Sequence, residues 1–278
     1  MRLAALLVAA LLALAACSEQ PAGQPQVRAR LDGSQPEAKA TPTPTPAPAA
    51  DSACRNVTFE DVPFTHCTAD PARHRITMAN LDANKQPYGS LPAFAASVDA
   101  TQIAFAVNGG MYGDDLEPLG YYVEQGERLK ELDRGTGEGN FYMKPNGVFF
   151  GTGGTWRVLG SNTFFATVGK RPDFGTQSGP LLLAEGKLHP EIQDNGPSRT
   201  IRSGVGVSAD GKAHFVISQA AVSFGQLARY FRDVVKVSNA LYLDGQVSSL
   251  WDPASQRIDK GRVGPIIVVT KREKAAGE

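Results

Sequence analysis

The sequence predicts an α+β domain: a mixed, multi-stranded sheet core with a few packed helices and Gly-rich connecting loops. Short apolar runs bounded by turn residues recur from Ile103 to Val269. Helical spacing shows in only two segments. There are 29 glycines in 278 residues, above the usual share of about 7%, which signals many tight turns. A hydrophobic content of 42% supplies a core.

The first element is an export signal. Arg2 precedes an apolar stretch over residues 3–16 that is too short to stay as a membrane span. It ends Leu14-Ala15-Ala16-Cys17, which resembles the bacterial lipoprotein signal, with Cys17 as the lipidated residue. Acyl chains there would anchor the chain at about 0.8 kcal/mol per buried methylene. Ser18 after the cysteine suits an outer-membrane lipoprotein facing the periplasm. Residues 18–53 follow as a tether. Pro21, Pro25, Pro36, Pro42, Pro44, Pro46 and Pro48 sit among small and polar residues with no aromatic, a composition that cannot offset ordering entropy. The folded domain is expected over 54–272, with a charged end at 273–278. In an oxidising compartment, Cys54 and Cys67 are expected to form a disulfide.

Within the domain, Ser90 caps a helix expected over 91–98 with Pro92 in its first turn. Residues 103–107 read as a buried strand. Strands are also expected at 120–124, 141–144, 147–150, 155–159, 180–184 and 204–207. Asp210-Gly211 turns into a strand at 214–218. Ser223 and Gln226 form a capping-box pattern before Phe224, Leu227, Ala228, Phe231, Val234 and Val235 at helical spacing. Residues 240–243 and 263–269 are the last two strands.

Charge and motifs exclude several classes. Lys plus Arg equals Asp plus Glu, 28 each, so no basic excess marks a nucleic-acid binder. GxSxG, HExxH, a Walker loop and EF-hand spacing are all missing. His66, His74, His189 and His214 share no metal-ligand spacing, and 135–139 reads as a glycine-rich loop.

What the sequence does offer is polar residues where strands end. These are Asn108-Gly109-Gly110-Met111-Tyr112, Lys144-Pro145-Asn146, Ser178-Gly179-Pro180, Arg202-Ser203-Gly204, and Asp244-Gly245 followed by Ser248 and Ser249. Each alone is turn chemistry. Together, a carboxylate, amides, two cations and hydroxyls suit a sugar joined to an anion.

At these positions the sequence resembles the phosphodiester glycosidase family. The resemblance rests on Asn108-Gly-Gly-Met-Tyr, Pro118-Leu-Gly-Tyr-Tyr-Val, Gly139-Asn-Phe-Tyr-Met-Lys-Pro-Asn-Gly-Val-Phe, Ser178-Gly-Pro, Arg202-Ser-Gly-Val-Gly-Val and Asn239-Ala-Leu-Tyr-Leu-Asp-Gly, in that order over about 76–268. It implies an exported hydrolase that cleaves a sugar-1-phosphodiester in a cell-envelope glycoconjugate. Gln246 departs from the glycine run of the better-studied branch. On this reading Arg202 and Lys144 meet the phosphate, Arg202 first because its fork matches phosphate oxygens, with Arg199 as its rival. Asp244 serves as base or as sugar ligand, and Asn108 and Ser178 hold hydroxyls. Gly109, Gly110, Tyr112, Asn146, Gly179, Gly245, Ser248 and Ser249 line the substrate, while Glu117 and Glu138 are the other acids. No cofactor is required; a calcium or magnesium ion would sit at Asp244. The expected partners are a carbohydrate or sugar-phosphate substrate and, through Cys17, the membrane. Two other readings remain: a lipoprotein that binds a sugar-phosphate or glycan through most of the same residues without cleaving it, and an envelope scaffold whose glycines only make turns, against which the ordered polar strand ends count.

Overall fold

The computed structural model describes residues 52–245 and 247–272. The expectations for Cys17, the tether and the charged C-terminal end lie outside them. The described residues all fall in one compact unit with its own core.

Three antiparallel sheets make the α+β fold. The first has seven strands in the order Cys54–Phe59, Val62–Ala69, Ala213–Ser218, Ser203–Val207, Ala240–Asp244, Leu181–Ala184 and Lys187–Leu188. The second runs Arg257–Ile258, Leu250–Asp252, Ile103–Asn108, Ile266–Lys271 and His74–Ala79. The third runs Glu127–Lys130, Tyr122–Glu124, Phe174–Ser178, Gly147–Thr152 and Thr155–Gly160.

One core lies where the sheets meet. Phe105 from the second sheet packs edge-on against Phe215 of the first, with ring centres 5.4 Å apart. Phe149 of the third meets Phe215 at 5.7 Å and Phe174 at 5.3 Å. Such aromatic pairs add about 0.5–1.5 kcal/mol each beyond burial. The remaining apolar clusters bring in the helices: Leu91–Ala95 packs with the second sheet, Ser161–Thr167 with the third and Phe224–Arg229 with the first. Central strands are therefore apolar on both faces. Every residue of Ile103–Asn108 is buried, which explains its unbroken hydrophobic run.

The caps behave as their sequences require. Ser223 Oγ accepts from Gln226 N at 3.1 Å, and the helix continues as a π-turn over Tyr230–Val235 before Lys236 ends it at φ 61°. Ser90 Oγ accepts from Ala93 N at 3.3 Å, although this helix stops at Ala95 rather than 98. Cys54 and Cys67 face each other across the first hairpin and are disulfide-bonded.

Two expectations are corrected. Residues 141–144 do not form a strand; Asn140–Tyr142 is a 3-10 turn. Tyr142 N donates to Gly139 O at 3.1 Å and Met143 N to Asn140 O at 3.2 Å, so the donors a ladder would need are used within the turn, and Asn146 Nδ2 donates to Phe141 O at 2.8 Å. The last strand starts at Ile266, not 263, because Pro265 has no N–H to give a ladder. Phe174–Ser178 and Ser161–Thr167 escaped the sequence reading. Phe174–Ser178 sits between two strands of its sheet, but Gly175 and Gln177 hide its pattern.

Candidate active site

Several strands finish at one place. Ser203 is paired with Asp244 across the first sheet, and Asn108 ends the adjoining strand of the second. The Asn108 side chain joins Ser203 to Ser249: Nδ2 donates to Ser203 Oγ at 3.2 Å, and Oδ1 accepts from Ser249 N at 3.1 Å. Ser248 Oγ lies 3.0 Å from both Ser203 Oγ and the Asp244 carbonyl. From the third sheet, Ser178 Oγ donates to Leu243 O at 3.0 Å. Asn108, Ser178, Ser203 and Ser249 are all at most 1% exposed. Their polar atoms are used to fix the end of the Asp244 strand, as buried polar groups require.

Asp244 itself is half-buried. Its carboxylate accepts from Gly245 N at 2.6 Å, and no cation pairs with it among the described residues. Burial pushes its pKa up from 3.8 to about 6, against the weaker pull of the Gly245 amide. Two tyrosines feel its charge. Burial first, then Asp244, raises Tyr112 to about 12; burial pushes Tyr242 up further, with Arg202 pulling it down and Asp244 adding a smaller upward push. Tyr112 donates its hydroxyl to Arg262 O at 2.8 Å, and its ring covers Gly264 so closely that a Cβ there would sit 2.6 Å from it. A Cβ on Gly245 would likewise sit 2.6 Å from the Tyr242 hydroxyl, so a bare residue is needed beside Asp244.

Arg202 is not where a phosphate ligand was expected. It is 1% exposed, and its guanidinium is turned into the protein. Nε donates to Val222 O at 3.0 Å, Nη1 to Tyr242 Oη at 3.1 Å, and Nη2 to Ser198 O and Oγ at 3.0 and 2.9 Å. The Phe224 ring lies over it, 3.6 Å from centroid to guanidinium carbon. Arg202 therefore holds Tyr242, which stands behind Asp244. Arg199, its rival, is exposed on the preceding loop. That loop touches the site, since Thr200 Cγ2 is 3.2 Å from where a Gly245 Cβ would lie.

Lys144 is half-buried, with Nζ 3.4 Å from Asn146 Oδ1. Its segment sits one strand over: Leu181 N donates to Pro145 O at 2.8 Å, and Tyr242 N to Pro180 O at 3.1 Å. The glycines Gly109, Gly110 and Gly179 admit backbone rather than ligand. A Cβ on Gly110 would lie 2.1 Å from Gln177 O, and those on Gly109 and Gly179 would lie 2.9 Å from Pro265 O and 2.7 Å from Phe141 O. Glu117 and Glu138 are exposed on loops, outside the bonded cluster. Half-buried Met111, Met143 and Phe224 pack against the cluster that contains Tyr242.

Sequence reasoning missed Ser203 and Tyr242 as site members. Ser203 stood inside a quoted motif, but Tyr242 looks like any core aromatic in an apolar strand. Among the described residues no group of three or more His, Cys, Asp or Glu could hold a metal. Asp244 is the one carboxylate of the bonded cluster, so a calcium ion there would have to take most of its six to eight oxygens from carbonyls, hydroxyls and water.

Residues 101–270 match the family model described as phosphodiester glycosidase. The chain belongs to the phosphodiester glycosidase family. That stretch contains every member of the cluster from Asn108 to Ser249. Over 185 residues the chain is 36% identical to the uncharacterized protein YigE of Escherichia coli strain K12, covering 66% of this chain and 72% of that one. Among solved structures, it is similar to the catalytic domain of zebrafish N-acetylglucosamine-1-phosphodiester alpha-N-acetylglucosaminidase auto-inhibited by its pro-peptide. The TM-score is 0.53 at 13% identity, over 79% of this chain and 82% of that one. A hypothetical protein from Synechocystis gives a TM-score of 0.50 at 18% identity, and the chain spans 61% of its length. At these identities the two structures speak for the fold of the phosphodiester glycosidase domain.

Proposed function

We propose that this phosphodiester glycosidase domain hydrolyses the bond between a sugar C1 and a phosphodiester, with Asp244 as the base that activates water. The observation that carries the reading is the Asp244 carboxylate: half-buried, paired with no cation among the described residues, and raised to about 6. A base poised near neutrality is what general-base catalysis favours. Ordinary glycosidases need a second carboxyl to protonate the leaving oxygen. A phosphate anion leaves without that help, so one carboxylate suffices, and one is what the cluster holds. Water attacks C1, its proton passes to Asp244, and the C1–O bond breaks with its electron pair going to the phosphate oxygen.

Lys144, rather than Arg202, is the cation offered to that phosphate. The Asn108–Ser203–Ser248 bonds hold the Asp244 turn in place, so that little reorganisation is needed at the moment of reaction. The substrate is expected in a cell-envelope glycoconjugate, with the protein lipid-anchored through Cys17. The test is hydrolysis of a chromogenic sugar-1-phosphodiester by the purified domain. Release of free sugar together with an intact phosphomonoester supports the reading. Binding without turnover would instead make the protein a sugar-phosphate receptor.

A further inference from the structure

Away from the site, a cleft of 940 Å³ opens at the point where the described chain begins and ends. Ser52, Ala53 and Cys54 form one wall, and Lys271 and Arg272 another. Five cations line it: Arg55, Arg73, Lys212, Lys271 and Arg272. Asp70 is the one carboxylate among its lining residues. Arg272 also lines two neighbouring clefts, both shared with Arg75, so the basic surface continues past the first opening.

Lys212 pairs with Asp210 at 2.8 Å and lies 4.0 Å from Asp70. Lys271 Nζ donates to Thr101 O, and Arg272 Nε to His74 O; both are uncharged acceptors. Arg55, Arg75, Lys271 and Arg272 are exposed and form no ion pair among the described residues. The chain as a whole has no net charge, so this is a segregation of charge rather than a basic protein. Arg55, Arg75, Lys271 and Arg272 all lie outside the family match at 101–270. Arg55, Arg75 and Lys271 sit on strands of the first and second sheets, and Arg272 directly follows the last of them.

We propose that this cleft is a docking surface for the phosphate headgroups of an anionic phospholipid bilayer. Unpaired, exposed cations on one face attract an anionic membrane, and their effect falls off within a Debye length. The residues preceding Ser52 join the domain at this same wall. A chain held to a membrane through them would present the cleft at a raised effective concentration.

The experiment uses the compact unit from residue 47 onward, which lacks the apolar leader, in sedimentation with vesicles. Phosphatidylcholine vesicles are compared with vesicles containing one third phosphatidylglycerol, at 50 and 500 mM NaCl (about 14 and 4 Å of screening length). The expected result is at least tenfold tighter binding to the anionic vesicles, lost at high salt. The triple variant Arg55→Glu, Arg75→Glu, Arg272→Glu should lose at least tenfold in affinity, with unchanged melting temperature and unchanged hydrolysis. The milder Arg55→Gln, Arg75→Gln, Arg272→Gln set should fall in between. Equal binding of wild type and variants, or binding that ignores phosphatidylglycerol, would overturn the proposal. So would retention on heparin without vesicle binding, which would assign the cleft to a soluble polyanion.

Discussion

Asp244→Asn separates catalysis from stability, because the carboxylate is predicted to help one and harm the other. Its folded pKa is about 6 against 3.8 for the free side chain. The folded state therefore binds the proton more tightly than the unfolded state. Below about pH 4 both states are protonated and the group contributes no difference. As pH rises towards 6 and beyond, the folded state must hold a desolvated charge, and stability falls. A shift of this size corresponds to about 3 kcal/mol, reduced to roughly 2 kcal/mol by the water that still reaches the half-buried group. Asparagine keeps the Gly245 N–H bond and never ionises. The variant should thus melt roughly 4–8 °C higher than wild type at pH 7.5 and at the same temperature at pH 4. Turnover of a sugar-1-phosphodiester should meanwhile drop about 10²–10⁴-fold, the usual cost of a lost general base. Calorimetry from pH 4 to 8 and initial rates on the same samples check both. Wild-type turnover would remove Asp244 from the chemistry. A melting-temperature difference between variant and wild type that does not change across that pH range would refute its desolvation.

Arg202→Ala should act on the fold before it acts on substrate. It removes the donors to Tyr242 Oη and the Ser198 acceptors and leaves Val222 O only its bond from Thr200 N, at a cost of roughly 2–4 kcal/mol in urea unfolding; an unaltered midpoint would contradict the buried network. Reduction of Cys54–Cys67 should cost about 3 kcal/mol, and the native protein should show a two-proton mass difference on reduction; two thiols alkylated without reductant would count against it. His66 and His214 are bonded to each other at 2.9 Å, and burial lowers them from 6.5 to about 3 and about 4. The unfolded chain takes up their protons first, so this contribution is whole above about pH 6.5 and is lost as pH falls towards 4. His214→Gln should flatten that acid limb, most clearly in the Asp244→Asn background where the opposing group is gone.

Much of this protein is local and was legible without a structure. The apolar run at 103–107, the Asp210-Gly211 hairpin and the Ser90 and Ser223 caps depend on neighbours a few residues away, and each appears where its own chemistry puts it. The ordered motifs from Asn108 to Asp244 likewise disclosed the family, because each marks a strand end that the fold reuses. The sequence could not say which way a polar group points once strands are paired. Arg202 has the same chemistry whether its fork meets a phosphate or Tyr242. Only the register placing Ser203 opposite Asp244, and the loop carrying Ser198 across it, turns that fork inward. The same holds for Gly109, Gly110 and Gly179, whose missing Cβ atoms make room for backbone from distant strands. Strand Phe174–Ser178 was hidden because its place in the sheet comes from pairing on both sides, not from its own side chains. The basic cleft is the extreme case: Arg55 and Arg272 lie 217 residues apart (272 less 55) in a chain of zero net charge, and the pairing of the first and last described strands into sheets gathers them with Arg75 on one face.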